Sequence, residues 1–113
     1  MWVATRLKPL SANDSYLGKK VKSKKYKDYE ASLLLGLPDL VIPEEGSLHL
    51  RMVVSYSNAR SDIDNCLKPF IDVLQRRYGF NDSRIYKLTV KKQIVPKGDD
   101  SISFNLDKYE IKK

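Results

Sequence analysis

From Gly46 onward the hydrophobic pattern runs with a period of two: Leu48, Leu50, Met52, Val54 and Tyr56 alternate with His49, Arg51 and Ser55. This is the pattern of a half-buried strand, and Pro43-Glu44-Glu45-Gly46 is the turn that starts it. Three further strands are predicted, at Trp2 to Leu7, around Tyr86, Leu88 and Val90, and around Ile102, Phe104 and Leu106. Pro96-Lys97-Gly98-Asp99-Asp100 is expected to join the last two as a hairpin.

Two segments carry helical spacing instead. Tyr26, Tyr29, Leu33 and Leu34 form an apolar stripe that closes at Gly36, read as a C-cap. Ile63, Leu67, Phe70, Ile71 and Leu74 recur at three- and four-residue steps and run out into Arg76-Arg77-Tyr78-Gly79, a basic last turn with a capping glycine. Pro69 constrains where that second helix begins. A proline in a helix interior costs ~3 kcal/mol, whereas the first turn tolerates it, so the regular helix is expected near Pro69, with Asp62 to Lys68 as a looser lead-in turn. The expected architecture is α/β or α+β, with two main helices and one mixed sheet of about four to six strands.

At 113 residues and 42% hydrophobic content the chain fits one compact domain over 1–113. Lys and Arg number 21 against 14 Asp and Glu, giving a net charge of +7 and a protein expected to bind polyanions. A membrane is not the expected partner, because no apolar run approaches the ~20 residues of a spanning helix. Met1-Trp2-Val3-Ala4-Thr5-Arg6 lacks the pattern of a signal peptide, so a cytoplasmic location is expected. Cys66 has no second cysteine to pair with, agrees with a reducing compartment, and reads as a small buried hydrophobe. The basic excess is densest at Lys19, Lys20, Lys22, Lys24, Lys25 and Lys27, a basic loop feeding the first helix.

Against this positive background stands Ser61-Asp62-Ile63-Asp64-Asn65-Cys66-Leu67-Lys68, followed after the second helix by Asn81-Asp82-Ser83. A basic surface attracts phosphates, but only carboxylates hold the hard cation that assists attack on them. Asp62 and Asp64, at the passage from strand to helix, can point toward one ion, and Asp82 is the natural third ligand if the strand it precedes returns beside the Leu48–Tyr56 strand. The chemistry would be phosphodiester hydrolysis, with Mg²⁺, or Mn²⁺ as its substitute, activating a water and neutralising charge on the phosphoryl group. Lys68 would stabilise the transition state or leaving oxygen, and Asn65 would orient an aspartate or bind phosphate. Taken singly, the same residues also suit a helix N-cap, a turn and a solvated charge.

The run Asp62-Ile63-Asp64-Asn65-Cys66-Leu67-Lys68-Pro69-Phe70-Ile71-Asp72-Val73-Leu74, then Asn81-Asp82-Ser83-Arg84-Ile85, closely resembles the RusA family of Holliday-junction resolvases. Pro9, Ser11, Asn13, Tyr16, Lys20, Tyr26 and Tyr29 look like the family's proline-asparagine loop and its basic, tyrosine-bearing first helix. The resemblance implies a RusA-like fold in which Asp62, Asp64 and Asp82 bind metal and Lys68 is the essential lysine. It further implies a Mg²⁺-dependent homodimer that places paired nicks in a four-way DNA junction, two-fold enzyme matching two-fold substrate, with no organic cofactor. A phage or prophage origin is an expectation of the same kind. Asn81 departs from the family, which often has an acid there, and Asp72 is expected to be structural, pairing with Arg76. Asn13, Lys19, Lys20, Lys22, Lys24, Lys25, Lys27, Arg60, Arg76 and Arg77 are the candidates for DNA contact.

Other readings stay open. Pro38-Asp39 with Glu110-Ile111-Lys112 imitates a restriction-type site at too long a gap, and His49, the single histidine, reads as a surface residue of its strand. The protein could be a metal nuclease for other branched DNA. A non-catalytic basic module would clamp phosphates with its lysines and arginines and stack bases on Tyr16, Tyr26 and Tyr29, but it gains nothing from grouped carboxylates facing its ligand.

Overall fold

Strand alternation and helix direction together build the molecule, which a computed structural model describes over residues 2–10, 16–17 and 21–110. In chain order the elements are β1 (Val3–Thr5), β2 (Tyr16–Leu17), β3 (Val21–Lys22), α1 (Lys24–Gly36), β4 (Leu48–Tyr56), α2 (Leu67–Tyr78), a 3₁₀ turn at Asp82–Arg84, β5 (Ile85–Ile94) and β6 (Ser101–Lys108). Four strands form one mixed sheet in the order β1-β6-β4-β5, while β2 and β3 pair as a separate short ribbon. Two helices with this sheet make an α+β fold.

β4 is one of the two inner strands, and its apolar set Leu48, Leu50, Met52, Val54 and Tyr56 is buried to the last member. Facing it are Tyr26, Tyr29 and Leu33 of α1 and Phe70, Val73 and Leu74 of α2, all in one core with Ile102 and Phe104 of β6. Phe70 meets Phe104 edge to face at 5.5 Å, the arrangement that ring quadrupoles favour. His49 is not a surface residue. It is 6% exposed, its Nε2 lies 2.8 Å from Thr89 Oγ1 and its ring packs edge-on to Tyr109, because β4 has a strand on either side.

Strand direction departs from the expectation in one respect that matters for the site. β5 pairs parallel to β4, Leu48 opposite Ile85 and Tyr56 opposite Ile94, so β4–α2–β5 is a crossover unit. β6 pairs antiparallel with β4, not with β5. The segment Pro96–Asp100 is therefore no hairpin: it passes the end of β4, joining strands that lie on its opposite sides.

The helix ends show which local rules prevail. α2 starts at Leu67, two residues before Pro69, and the proline costs nothing there because first-turn amides have no intrahelical acceptor; Phe70 N–H donates to the Cys66 carbonyl at 3.3 Å as the first regular bond. Gly79 closes α2 in the left-handed region at φ 69°, as its position predicts. Gly36 does not cap α1; the helix runs through it, and Leu37 N–H closes the end on the Leu33 carbonyl.

Candidate functional site

The chain leaves β4 at its C-terminal end and forms the loop that carries Asp62 and Asp64. Several bonds fix this loop from below: Ser57 N–H donates to Asp100 Oδ2 at 3.1 Å, and Lys92 Nζ of β5 donates to the carbonyls of Ala59, at 2.8 Å, and Ser61. The Tyr56 hydroxyl donates to the Asp62 carbonyl at 3.3 Å, and buried Cys66 anchors the far end. Both carboxylates are left exposed on a held backbone, and Asn65 Nδ2 donates to Asp62 Oδ2 at 3.3 Å. They crowd one neighbour: the Tyr56 phenol is held well above its ordinary range, by burial first, then by its hydrogen bond with Cys66, then by the negative charge of Cys66, Asp62 and Asp64. Lys68 is exposed in the first turn of α2, where the helix dipole also favours anions.

Asp82 lies elsewhere. Its 3₁₀ turn is tied to the start of β4, with Arg84 donating to the carbonyls of Gly46, at 3.0 Å, and Pro43, at 2.6 Å, and to the last turns of α2, where Asp82 N–H donates to Gln75 Oε1 at 2.9 Å. Asn81, in place of an acid, accepts the Ser83 N–H and shapes this turn. The strand that follows does lie beside β4, but parallel pairing returns the chain to where β4 begins, not to where it ended. Asp62 and Asp64 thus precede one end of α2 and Asp82 follows its other end, and the helix between them is about 18 Å long at 1.5 Å per residue. Among the described residues no group of three acidic, histidine or cysteine side chains stands close enough to hold a metal ion. Asp62 and Asp64 suit a hard cation in donor type, but one chain does not bring the third carboxylate to them.

The basic candidates divide similarly. Lys22 pairs with Glu30 at 3.0 Å and Arg76 pairs with the same carboxylate at 2.5 Å, so Arg76 bridges to α1 and not to Asp72, which accepts from Gln75. Arg77 pairs with Asp39 at 2.6 Å and lies over the Tyr78 ring. That bond also occupies the aspartate of the restriction-type imitation, whose Ile111 and Lys112 lie outside the described residues. Lys24, Lys25, Lys27 and Arg60 are exposed, and Arg60 N–H closes a turn on Asn58 Oδ1 at 2.8 Å. Asn13, Lys19 and Lys20 lie outside the described residues.

A cleft of about 650 Å³ opens beside the acidic loop, with Tyr29, Tyr56, Asn58, Asp62 and Asn65 in its wall. Lys8 and Lys25 bring cationic groups to the same cleft. Two structural contributors escaped the sequence reading. Lys92 looks like one more surface cation, and Asp100 like a turn residue; their use as loop anchors depends on a strand order that no local pattern encodes.

No family model matches the chain, and no curated protein matches it at a significant level. No helix among the described residues is long and apolar enough to cross a membrane.

Proposed function

We propose that the protein is a Mg²⁺-dependent endodeoxyribonuclease that acts as a homodimer on four-way DNA junctions, cutting paired strands symmetrically. The observation that carries this reading is the pair of exposed carboxylates, Asp62 and Asp64, on a loop held at the carboxyl end of two parallel strands and opening on a cleft with cationic groups. Crevices at the carboxyl ends of parallel strands are where such sheets bind ligands. The resemblance of the Asp62–Leu74 run to RusA resolvases supports the same assignment. A divalent cation bound at these carboxylates would supply an activated water and charge neutralisation. The chain's own groups have complementary tasks: Asn65 steadies Asp62 through its 3.3 Å bond, Lys68 faces the charge that builds on phosphate oxygens, and the N-terminus of α2 favours the bound anion. Among the described residues of a single chain no third carboxylate joins this pair, and the dimer is part of the proposal.

The test incubates a synthetic mobile four-way junction with wild-type and Asp64→Asn protein, with and without Mg²⁺. Symmetric nicked duplexes are expected only from the wild type with metal, with junction binding retained in the variant because a repulsive charge is gone. Normal cutting by the variant would refute the site. A gel shift without cutting by either protein would favour a non-catalytic DNA-binding module, and cutting of other branched substrates in preference to junctions would redefine the substrate.

A further inference from the structure

One lysine of β5 stands where the strand's alternation calls for an apolar side chain. Parallel pairing sets Leu88, Val90, Lys92 and Ile94 opposite Leu50, Met52, Val54 and Tyr56, on the side of the sheet that carries the core, whereas Lys87 and Lys91 stand opposite His49 and Val53 on the other side. A lysine in such a row ordinarily lays its stem along apolar surface and lifts its head into water. Lys92 turns its head to the chain instead. Its Nζ donates to the carbonyls of Ala59, at 2.8 Å, and Ser61, and lies 5.9 Å from the centre of the Tyr56 ring, whose hydroxyl donates to the Asp62 carbonyl. The Ser61 carbonyl belongs to the same planar peptide unit as the Asp62 nitrogen, so a bond to one fixes the plane from which the Asp62 side chain departs.

We infer that Lys92 is the positioning residue of the cation site: by holding the peptide unit between Ser61 and Asp62 it sets where the Asp62 and Asp64 carboxylates stand, without itself touching metal or DNA. The inference rests on the nuclease reading for the use made of those carboxylates, not for the tether. Two lysines then serve one site in different ways. Lys68 is exposed to meet phosphate oxygens, and Lys92 is half-buried with its donors on the chain's own carbonyls.

Charge and tether act with opposite sign, which makes them separable. An ammonium near a bound cation repels it, so losing the charge alone would tighten metal binding. Losing the tether would weaken it, because groups that orient metal ligands are worth roughly 10–100-fold in metal affinity.

The test compares wild type with Lys92→Met, which keeps an unbranched stem, and with Lys91→Met, which removes the same charge from the exposed far side of the strand. Lys92→Gln, neutral but still a donor, is measured beside them and carries the test if Lys92→Met does not fold. In Lys92→Met, amide hydrogen exchange over 57–66 is expected to quicken about tenfold or more while the core of β4 stays protected. Mn²⁺ alone, followed by calorimetry, should bind about tenfold more weakly, and junction cutting at saturating substrate should fall with junction affinity unchanged. Lys92→Gln should lie between, and Lys91→Met should match wild type in exchange and in Mn²⁺ affinity. Unchanged exchange in both Lys92 variants overturns the inference, as does quickened exchange with Mn²⁺ affinity equal to or above that of wild type. A salt slope of junction binding reduced by about one, with exchange unchanged, would make Lys92 a phosphate contact instead. A wild type that neither binds Mn²⁺ nor cuts defeats the nuclease reading, and exchange then decides the tether by itself.

Discussion

Glu30 shows how much one side chain can be asked to do. It sits on α1 with its carboxylate 12% exposed, and it accepts from Lys22 at 3.0 Å and from Arg76 of α2 at 2.5 Å. Burial alone would push its carboxyl up, but the bonds and charges of Lys22 and Arg76 outweigh burial and hold it below the usual carboxylate range. A carboxyl that ionises more readily folded than unfolded adds stability above its unfolded value, and loses it as pH falls through the folded one. Urea midpoints are therefore expected to drop on acidification below about pH 4.5, the ordinary range of the group. Glu30→Gln should cost about 1 kcal/mol at pH 7, since both cations are partly solvated, and should flatten that acid limb. An unchanged acid limb in the variant would show that the bridge contributes nothing. The residues of this bridge were visible in the sequence, but their partnership was not. Arg76 has Asp72 four residues earlier on its own helix, and only the packing of α1 on α2 shows that the bond goes across instead.

At the scale of elements, the period of the apolar pattern was the legible part. The two-residue repeat located β4 with its turn, and three- and four-residue steps located both helices. Ends were less legible, because a glycine can close a helix or simply occupy it. Gly36 and Gly79 carry the same signal, yet only Gly79 has a positive φ, and a Cβ at either position would meet nothing within 4 Å. The two substitutions should therefore diverge. Gly79→Ala is expected to destabilise by about 1 kcal/mol through the left-handed backbone alone, and Gly36→Ala to stabilise by about 0.5–1 kcal/mol through helix propensity, both read by chemical denaturation. Equal effects would mean that the two helix ends do not differ as described. The candidate site divides along the same line. Asp62, Asp64, Asn65 and Lys68 stand together because they are neighbours in the chain, whereas the place of Asp82 depends on whether β5 runs with or against β4, a choice set by the crossover helix and not by any residue of the strand.

For the whole molecule, charge is unevenly available. The net +7 is large for 113 residues, but Lys22, Arg76 and Arg77 spend part of theirs on Glu30 and Asp39. Junction affinity is expected to fall by about tenfold or more between 50 and 200 mM salt, as counterion release requires of a protein touching several phosphates. Lys25→Ala, beside the cleft, should reduce the salt slope more than Arg77→Ala; a titration in which the two are equal would place the DNA elsewhere. The sheet itself has a further consequence. Among the described residues its outer strand β1 pairs with β6 alone, Val3 opposite Phe104 and Thr5 Oγ1 donating to the Ile102 carbonyl at 2.9 Å, from residues nearly a hundred positions later. A chain growing on a ribosome cannot close that side until β6 has emerged from the exit tunnel, so its first strand must wait, unpaired, through almost the whole synthesis of these residues.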